Sequence, residues 1–317
     1  MKDSYLVTGA TGYIGSMLVH KLLEEGEQVI ALVRDAKKAK AMLPGKAEII
    51  VADLTDQAAV RALEVDCDYI LHCAAVTASA EMQSHPVEVV QSIVNGTQNV
   101  LDLARRVQVQ SMVYVSSMEV YGRLDCSDGH RATEAEAGAG EVDVLAARSC
   151  YPLGKRMAEN LCAAYAAEYQ VPVKIARLAQ TFGRGVLPKD RRVFAQFANA
   201  AIKGEDIVLH TAGKSMGNYC AIEDALEGLL VILKKGQHGE AYNVANEGNT
   251  MTIREMAELA AEVLSEGKSR VVVDIPPDNR YGYAADTGLR LSSDKLRGLG
   301  WGPTKDLRQM FLDMLEA

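Results

Sequence analysis

The sequence predicts an α/β fold, a doubly wound parallel sheet with a smaller, interleaved C-terminal lobe. Three observations favour this class. Through the first half of the chain, short apolar runs of strand length alternate with stretches that carry apolar residues at helical spacing. A glycine-rich turn follows the first of these runs. Beyond about residue 180 the regular alternation of strands and helices fades, which indicates a second lobe. One later helix–strand pair resumes the pattern of the first half.

The predicted strands of the first half are continuous apolar runs, as strands buried on both faces of a sheet require. In chain order they comprise residues 5–7, 29–33, 49–51, 69–71 and 112–115. Helical spacing predicts helices over 15–24 and 87–106, and a long helix that continues from Lys155 to Tyr169 before a strand at 173–177. The later helix–strand pair comprises a helix at 225–234 and a strand at 241–244.

Composition excludes several classes of function. The chain has 317 residues, 48% of them hydrophobic, and a formal net charge of -8, which disfavours non-specific binding of nucleic acid. No apolar run reaches the length of a membrane span, and we expect no signal peptide because the N-terminus enters a strand at once. The six cysteines are scattered without a Cys-x-x-Cys pair. We therefore expect free thiols, no metal site and a cytoplasmic protein.

The glycine-rich turn has the spacing Gly-x-x-Gly-x-x-Gly, at Gly9, Gly12 and Gly15. Glycine lets the backbone turn tightly and approach a pyrophosphate, and the N-terminus of the following helix favours an anion. The turn therefore predicts a Rossmann dinucleotide site that also includes Thr11, Tyr13 and Ile14.

This site sets the expected domain boundaries. We expect a dinucleotide-binding domain of residues 1–179 plus about 218–248, and a substrate-binding lobe of about 180–217 plus 249–317.

The end of the second strand indicates which dinucleotide binds. An acidic residue at this position binds the ribose hydroxyls of NAD, whereas a basic one accepts the 2′-phosphate of NADP. The strand ends in Arg34, and Asp35 follows one residue late, so we favour NADP over NAD. An alternative is that Arg34 only stacks on adenine. Four further residues are candidate cofactor contacts at strand ends: Asp53, Leu54, Ala74 and Ala75.

Tyr151 and Lys155 are four residues apart, so on a helix they share a face. A nearby ammonium stabilises a phenolate, and we expect it to lower the tyrosine pKa toward neutrality. Such a tyrosine can exchange a proton with an alcohol or ketone, and Lys155 can also hold the nicotinamide ribose. Ser117, at the end of the fifth strand, is placed to donate a hydrogen bond to the reacting oxygen.

These motifs together resemble the extended short-chain dehydrogenase/reductase superfamily, specifically the NAD-dependent epimerase/dehydratase family that acts on nucleotide sugars. The resemblance runs from Tyr5 to about Met310. It implies Ser117, Tyr151 and Lys155 as the catalytic triad and a small-molecule substrate of the nucleotide-sugar class. It also implies a homodimer formed through the helices near residues 87–106 and 149–169.

Departures from the family pattern refine these expectations. The Asp-Glu pair of 4,6-dehydratases is Met118-Glu119 here, which disfavours dehydration; Glu119 fits a sugar-acid decarboxylase or a structural role. Gln180 stands where many members have an asparagine that grips the nucleotide sugar. Gly217 stands where many have an arginine. Glu119, Gln180 and Arg280 remain candidate substrate contacts.

Three functions therefore stay open. The first is hydride transfer at a ring carbon of a nucleotide sugar through a 4-keto species, by either an epimerase or a keto-reductase, with Tyr151 as general acid/base. The second is an NADPH-dependent reductase or dehydrogenase of a non-sugar alcohol or ketone, which the glycine at position 217 makes credible. The third, a non-catalytic dinucleotide-binding protein, is disfavoured because both Tyr151 and Lys155 are present.

Overall fold

The structure, a computed structural model, describes residues 2–186, 190–276 and 287–316. Its strands are β1 (Ser4–Thr8), β2 (Gln28–Val33), β3 (Glu48–Val51), β4 (Tyr69–His72), β5 (Ser111–Ser117), β6 (Val173–Leu178), β7 (Gln180–Phe182), β8 (Ile207–Leu209), β9 (Met216–Ala221), β10 (Ala241–Val244), β11 (Asn246–Thr252) and β12 (Val271–Val273). Its helices are α1 (Tyr13–Glu24), α2 (Ala36–Met42), α3 (Gln57–Arg61), α4 (Ser79–Ser84), α5 (Pro86–Val107), α6 (Cys150–Tyr169), α7 (Val193–Ile202), α8 (Ile222–Lys235), α9 (Ile253–Leu264), α10 (Asp294–Arg297) and α11 (Leu307–Asp313).

Seven of these strands form one parallel sheet in the order β10-β6-β5-β4-β1-β2-β3. The strand order reverses between β1 and β4, which is the switch point where a doubly wound sheet opens a crevice at the carboxyl ends of its strands. The predicted fold class is therefore confirmed.

Hydrophobic cores cover both faces of this sheet, as an all-parallel sheet requires. On one face, α1 and α8 contribute Leu18, Leu22 and Ile232 to the core. On the other face, α5 and α6 contribute Ile93 and Ala158. Helix α6 starts at Cys150, so Pro152 falls in its first turn, where proline costs no backbone hydrogen bond.

A third core belongs to the C-terminal part of the chain. It includes aromatic side chains from β7, α7, β9 and α11, and Phe182 stacks on Phe194 with ring centres 4.3 Å apart. Two small sheets accompany it, with the strand orders β11-β9-β7 and β12-β8. Strand β10 returns to the main sheet beside β6, so the two parts of the chain interleave.

Within the described residues, no helix combines the length and apolar character needed to span a bilayer.

Candidate active site

The glycine turn lies between β1 and α1, at the carboxyl edge of the sheet. Gly9 has a φ of +64°, and a Cβ there would lie 2.8 Å from the backbone of Ala74. A Cβ on Gly15 would lie 2.3 Å from the carbonyl oxygen of Gly9. Helix α1 starts after Gly12 with no side-chain cap, so its N-terminal amides are available to an anion. The turn therefore fits a dinucleotide pyrophosphate.

The carboxyl ends of β2 and β3 bring Arg34 close to Asp53. Asp35 caps helix α2, accepting hydrogen bonds from the amides of Lys37 and Lys38. Arg34 is exposed and makes no hydrogen bond or ion pair with any described residue. The Asp35 carboxylate is thus occupied in capping α2, whereas the Arg34 guanidinium is available to bind a ligand.

Asp53 and Leu54 occupy the end of β3. Hydrogen bonds from the backbone and side chain of Thr55 lower the pKa of Asp53, and the Arg34 charge contributes to the same shift. Asp53 does not cap α3, because Asp56 does. Leu54 is buried, and its carbonyl oxygen accepts a hydrogen bond from the Asn99 side chain.

His72 has a structural position at the end of β4. It is fully buried, with Nδ1 2.7 Å from the Thr8 hydroxyl and Nε2 3.1 Å from the Thr97 hydroxyl. Burial lowers its pKa to about 3, so the ring is neutral. Thr8 also accepts a hydrogen bond from the amide of Ala74, which fixes the backbone that faces Gly9.

Ser117, Tyr151 and Lys155 converge where β5 ends against α6. Tyr151 is 7% exposed and Lys155 is 3% exposed. The Lys155 ammonium donates a 2.8 Å hydrogen bond to the carbonyl oxygen of Val115 and lies 5.8 Å from the Tyr151 ring centre. The Ser117 hydroxyl accepts a hydrogen bond from the Glu119 amide and interacts with the Tyr151 side chain.

The protonation of this group differs from our expectation. Burial raises the pKa of Tyr151, and the Glu119 carboxylate raises it further; neighbouring Ser117 and Arg148 lower it by less. Lys155 is not among the main groups that shift this pKa, and its ammonium is hydrogen-bonded to the carbonyl oxygen of Val115. Burial lowers the pKa of Lys155 itself to about 8. Tyr151 is therefore a protonated phenol in this arrangement.

Glu119 pairs with a residue that the sequence did not single out. Its carboxylate accepts a 3.0 Å hydrogen bond from Arg148, which precedes Tyr151 by three residues. This ion pair links the turn after β5 to the start of α6. The spacing of Arg148 from Tyr151 was a usable signal, because residues three apart lie near one another on a helix.

Two predicted substrate contacts remain, Gln180 and Arg280. Gln180 starts β7, and its side-chain oxygen is buried without a hydrogen-bond partner among the described residues. Arg280 lies outside the described residues. Gly217 is buried in β9, and among the described residues a Cβ there would approach no atom more closely than the Tyr219 hydroxyl at 4.0 Å.

A second cation that the sequence did not indicate is Arg192, just before α7. It pairs with Asp190, donates to the carbonyl oxygen of Thr181 and lies 6.0 Å from the Tyr13 ring centre. Its charge reaches Tyr151 as well, lowering that pKa slightly. Arg192 belongs to the segment where the strand–helix alternation fades, so no local pattern pointed to it.

Among the residues that the structure describes, no cluster of histidine, cysteine or acidic side chains has an arrangement that could hold a metal ion. All six cysteines are free thiols.

The switch point with its glycine turn, together with the buried Tyr151–Lys155 pair, defines an NAD(P)-dependent enzyme of the extended short-chain dehydrogenase/reductase class. Comparison with known proteins narrows this class. The sequence model of the NAD dependent epimerase/dehydratase family matches residues 5–245. The chain belongs to that family, whose members modify nucleotide sugars.

A curated relative is UDP-glucuronic acid decarboxylase 6 of Arabidopsis thaliana, which is 31% identical over 310 residues, or 96% of this chain and 85% of the relative. Among solved structures, UDP-glucose 4-epimerase of Thermus thermophilus in complex with NAD superposes with a TM-score of 0.83 at 25% identity, covering 99% of this chain and 98% of that one. Epimerase Mth375 of Methanothermobacter thermautotrophicus gives a TM-score of 0.84 at 27% identity, covering 99% and 91%.

Proposed function

We propose that this enzyme oxidises or reduces a ring carbon of a nucleotide-activated sugar through a 4-keto species, with Tyr151 as general acid/base. The observation that carries the proposal is the convergence of Ser117, Tyr151 and Lys155 beside the glycine turn. Hydroxyl, phenol and ammonium groups at one strand end are the set needed to move a proton on and off a sugar oxygen.

Each side chain has a distinct proposed role. The Ser117 hydroxyl donates a hydrogen bond to the reacting sugar oxygen. The protonated Tyr151 phenol gives its proton to a keto oxygen on reduction and recovers it from the alcohol on oxidation. The Lys155 ammonium stabilises the phenolate electrostatically. A bound nicotinamide supplies the hydride chemistry, and the glycine turn, Thr11, Tyr13 and Ile14 would hold its dinucleotide.

The proposed cofactor is NADP, with NAD as the alternative. Support comes from Arg34, which makes no hydrogen bond or ion pair with the described residues, and from Asp35, which is occupied in capping α2. The solved epimerase from Thermus thermophilus contains NAD. Removal of the Arg34 side chain distinguishes the two cofactors, because only NADP carries a 2′-phosphate for the guanidinium to bind.

The proposed sugar site lies between the two parts of the chain, in keeping with the predicted division at residues 1–179 plus 218–248 and 180–217 plus 249–317. The paired charges of Glu119 and Arg148, and the charge of Arg192, all influence Tyr151. The buried oxygen of Gln180 is an unsatisfied acceptor that a substrate hydroxyl or amide would fill. These polar groups favour a nucleotide sugar over a non-sugar ketone.

Decarboxylation of a nucleotide sugar acid is a second candidate. The Arabidopsis relative is named a UDP-glucuronic acid decarboxylase, and Glu119 is compatible with a sugar-acid decarboxylase. Gly217 removes the arginine that would pair with a carboxylate. Release of CO2 from UDP-glucuronate would support this candidate, and interconversion of UDP-glucose with its 4-epimer would support epimerisation.

We also propose a homodimer in a cytoplasmic setting. Helices α5 and α6 pack together and expose Val87, Val90, Met157 and Tyr169, an apolar group that a second copy would cover. The free thiols suit a reducing compartment. Sedimentation equilibrium of the purified protein decides between monomer and dimer.

The test of the proposed chemistry is Tyr151→Phe, which removes only the proton-carrying oxygen. We expect turnover of UDP-glucose or UDP-glucuronate to fall by at least about 100-fold, within the usual range for loss of a general acid/base, with cofactor affinity nearly unchanged. Tyr169→Phe is the matched control, because Tyr169 lies on the same helix with its side chain partly exposed. Comparable activity in the Tyr151 and Tyr169 variants would refute the catalytic assignment.

A further inference from the structure

Glu159 lies one helical turn after Lys155, inside the protein and away from the predicted catalytic groups. Its carboxylate accepts a 2.5 Å hydrogen bond from the Ser116 hydroxyl on β5. It also accepts from the Arg177 guanidinium on β6, with contacts at 2.8, 3.1 and 3.2 Å. The side chains of Glu159 and Arg177 are 10% and 8% exposed. One carboxylate thus joins the three elements behind the active site.

The Ser116 contact bears directly on catalytic geometry. Val115, whose carbonyl oxygen accepts from the Lys155 ammonium, precedes Ser116, and the candidate catalytic Ser117 follows it. Fixing the Ser116 side chain to α6 therefore fixes both neighbours relative to Tyr151 and Lys155. A hydrogen bond at this point sets the register between the end of β5 and the helix that carries the tyrosine.

Arg177 extends the same network outward. Its guanidinium donates to the Tyr121 hydroxyl at 3.2 Å and to the carbonyl oxygen of Glu134 at 2.8 Å. The Tyr121 hydroxyl in turn donates to the side chain of Asn243 on β10. A buried ion pair rarely adds net stability, since its desolvation offsets its attraction. Its position among the elements that carry the active site suggests a role in geometry.

Glu159 also supplies charge to Lys155. Six titratable side chains influence or approach the ammonium from β4, β5, α6 and the segment after β4: His72, Cys73, Tyr114, Tyr151, Glu159 and Cys162. Burial keeps the histidine, the two thiols and the two phenols neutral. Among the described residues of this group, Glu159 is the one with a carboxylate side chain.

We propose that Glu159 is a positioning residue that holds the end of β5 against α6 and keeps the Lys155 side chain in its charged form. This inference rests on the proposed roles of Tyr151 and Lys155. Burial alone favours the neutral form of Lys155, and the Glu159 carboxylate opposes this effect. Without Glu159, Lys155 would lose its proton at a lower pH.

The test is Glu159→Gln, with Glu168→Gln as the control because Glu168 is an exposed acid on the same helix. In cofactor-free protein carrying isotope-labelled lysine, NMR titration of Lys155 is expected to shift to lower pH by roughly one unit, a tenfold change in the protonation equilibrium. The alkaline limb of kcat should shift the same way, with KM nearly unchanged at pH 6. Glu168→Gln should change neither.

If the single variant does not fold, the double variant Glu159→Gln/Arg177→Gln is measured as well, because it leaves no unpaired buried charge. In the folded single variant, an unshifted Lys155 titration or an activity loss equal at every pH would overturn the inference. The double variant also removes the Arg177 charge, so it tests the positioning role alone, and an unchanged kcat there would overturn the inference. Failure of the proposed function would be recognised separately. In that case Tyr151→Phe would remain active, whatever the result for the Glu159 variants.

Discussion

At the residue scale, Arg34 carries the cofactor prediction. Arg34→Ala should weaken NADP by about 1–3 kcal/mol, the usual range for hydrogen bonds to a charged group, and leave NAD nearly unchanged. Titration calorimetry with both dinucleotides measures the difference. Lys40→Ala, which removes an exposed cation from the last turn of α2, is the control. Equal loss for both dinucleotides would remove the basis for preferring NADP.

The individual residues that the sequence predicted are those that local spacing can reveal. Tyr151 and Lys155 were identifiable because four residues on a helix place two side chains on one face, and both are buried where β5 meets α6. Arg192 and Glu159 were not identified, because their partners act through tertiary contacts rather than a motif. The protonation of Tyr151 was also mispredicted, because burial is not a local property of sequence.

At the element scale, the apolar strands of the main sheet were predicted to within a few residues. Strands at 29–33 and 173–177, for example, are observed as Gln28–Val33 and Val173–Leu178. Strand β11 (Asn246–Thr252) was not predicted, since its sequence is largely polar and its pairing with β9 contains an irregularity. Continuous burial on both faces produces a readable pattern, whereas a short strand of a small sheet does not.

The junction of β1 and α1 gives a prediction about an element. Gly15→Ala would place a Cβ 2.3 Å from the Gly9 carbonyl oxygen, so the turn and helix must separate. We expect a loss of about 1–3 kcal/mol in the free energy of unfolding, as for other overpacked sites, and at least tenfold weaker dinucleotide binding. Gly45→Ala is the control, because a Cβ there meets no atom of the described residues within 4 Å. Unchanged binding by Gly15→Ala would show that the turn does not shape the site.

At the scale of the whole molecule, the chain combines one parallel sheet with a separate C-terminal core, and the segments that build this core interrupt those of the sheet in sequence. The return of β10 to the sheet was predicted from a helix at 225–234 and a strand at 241–244, and α8 and β10 occupy those positions. How the C-terminal part arranges its own sheets could not be predicted, because β8 and β12 pair although they lie far apart in the chain. The proposed substrate site depends on that arrangement, so local sequence patterns did not identify the sugar.

Transfer of hydrogen from the sugar ring tests the central claim most directly. UDP-[4-²H]glucose and UDP-[4-²H]glucuronate would be incubated with the enzyme and NADP or NAD, quenched during turnover, and the released nucleotides examined by mass spectrometry. The account predicts a reduced dinucleotide carrying one deuterium, and none from the same sugars labelled at C3. Conversion of either sugar without deuterium in the dinucleotide would contradict it, as would reduction of non-sugar ketones by an enzyme that leaves both sugars unchanged.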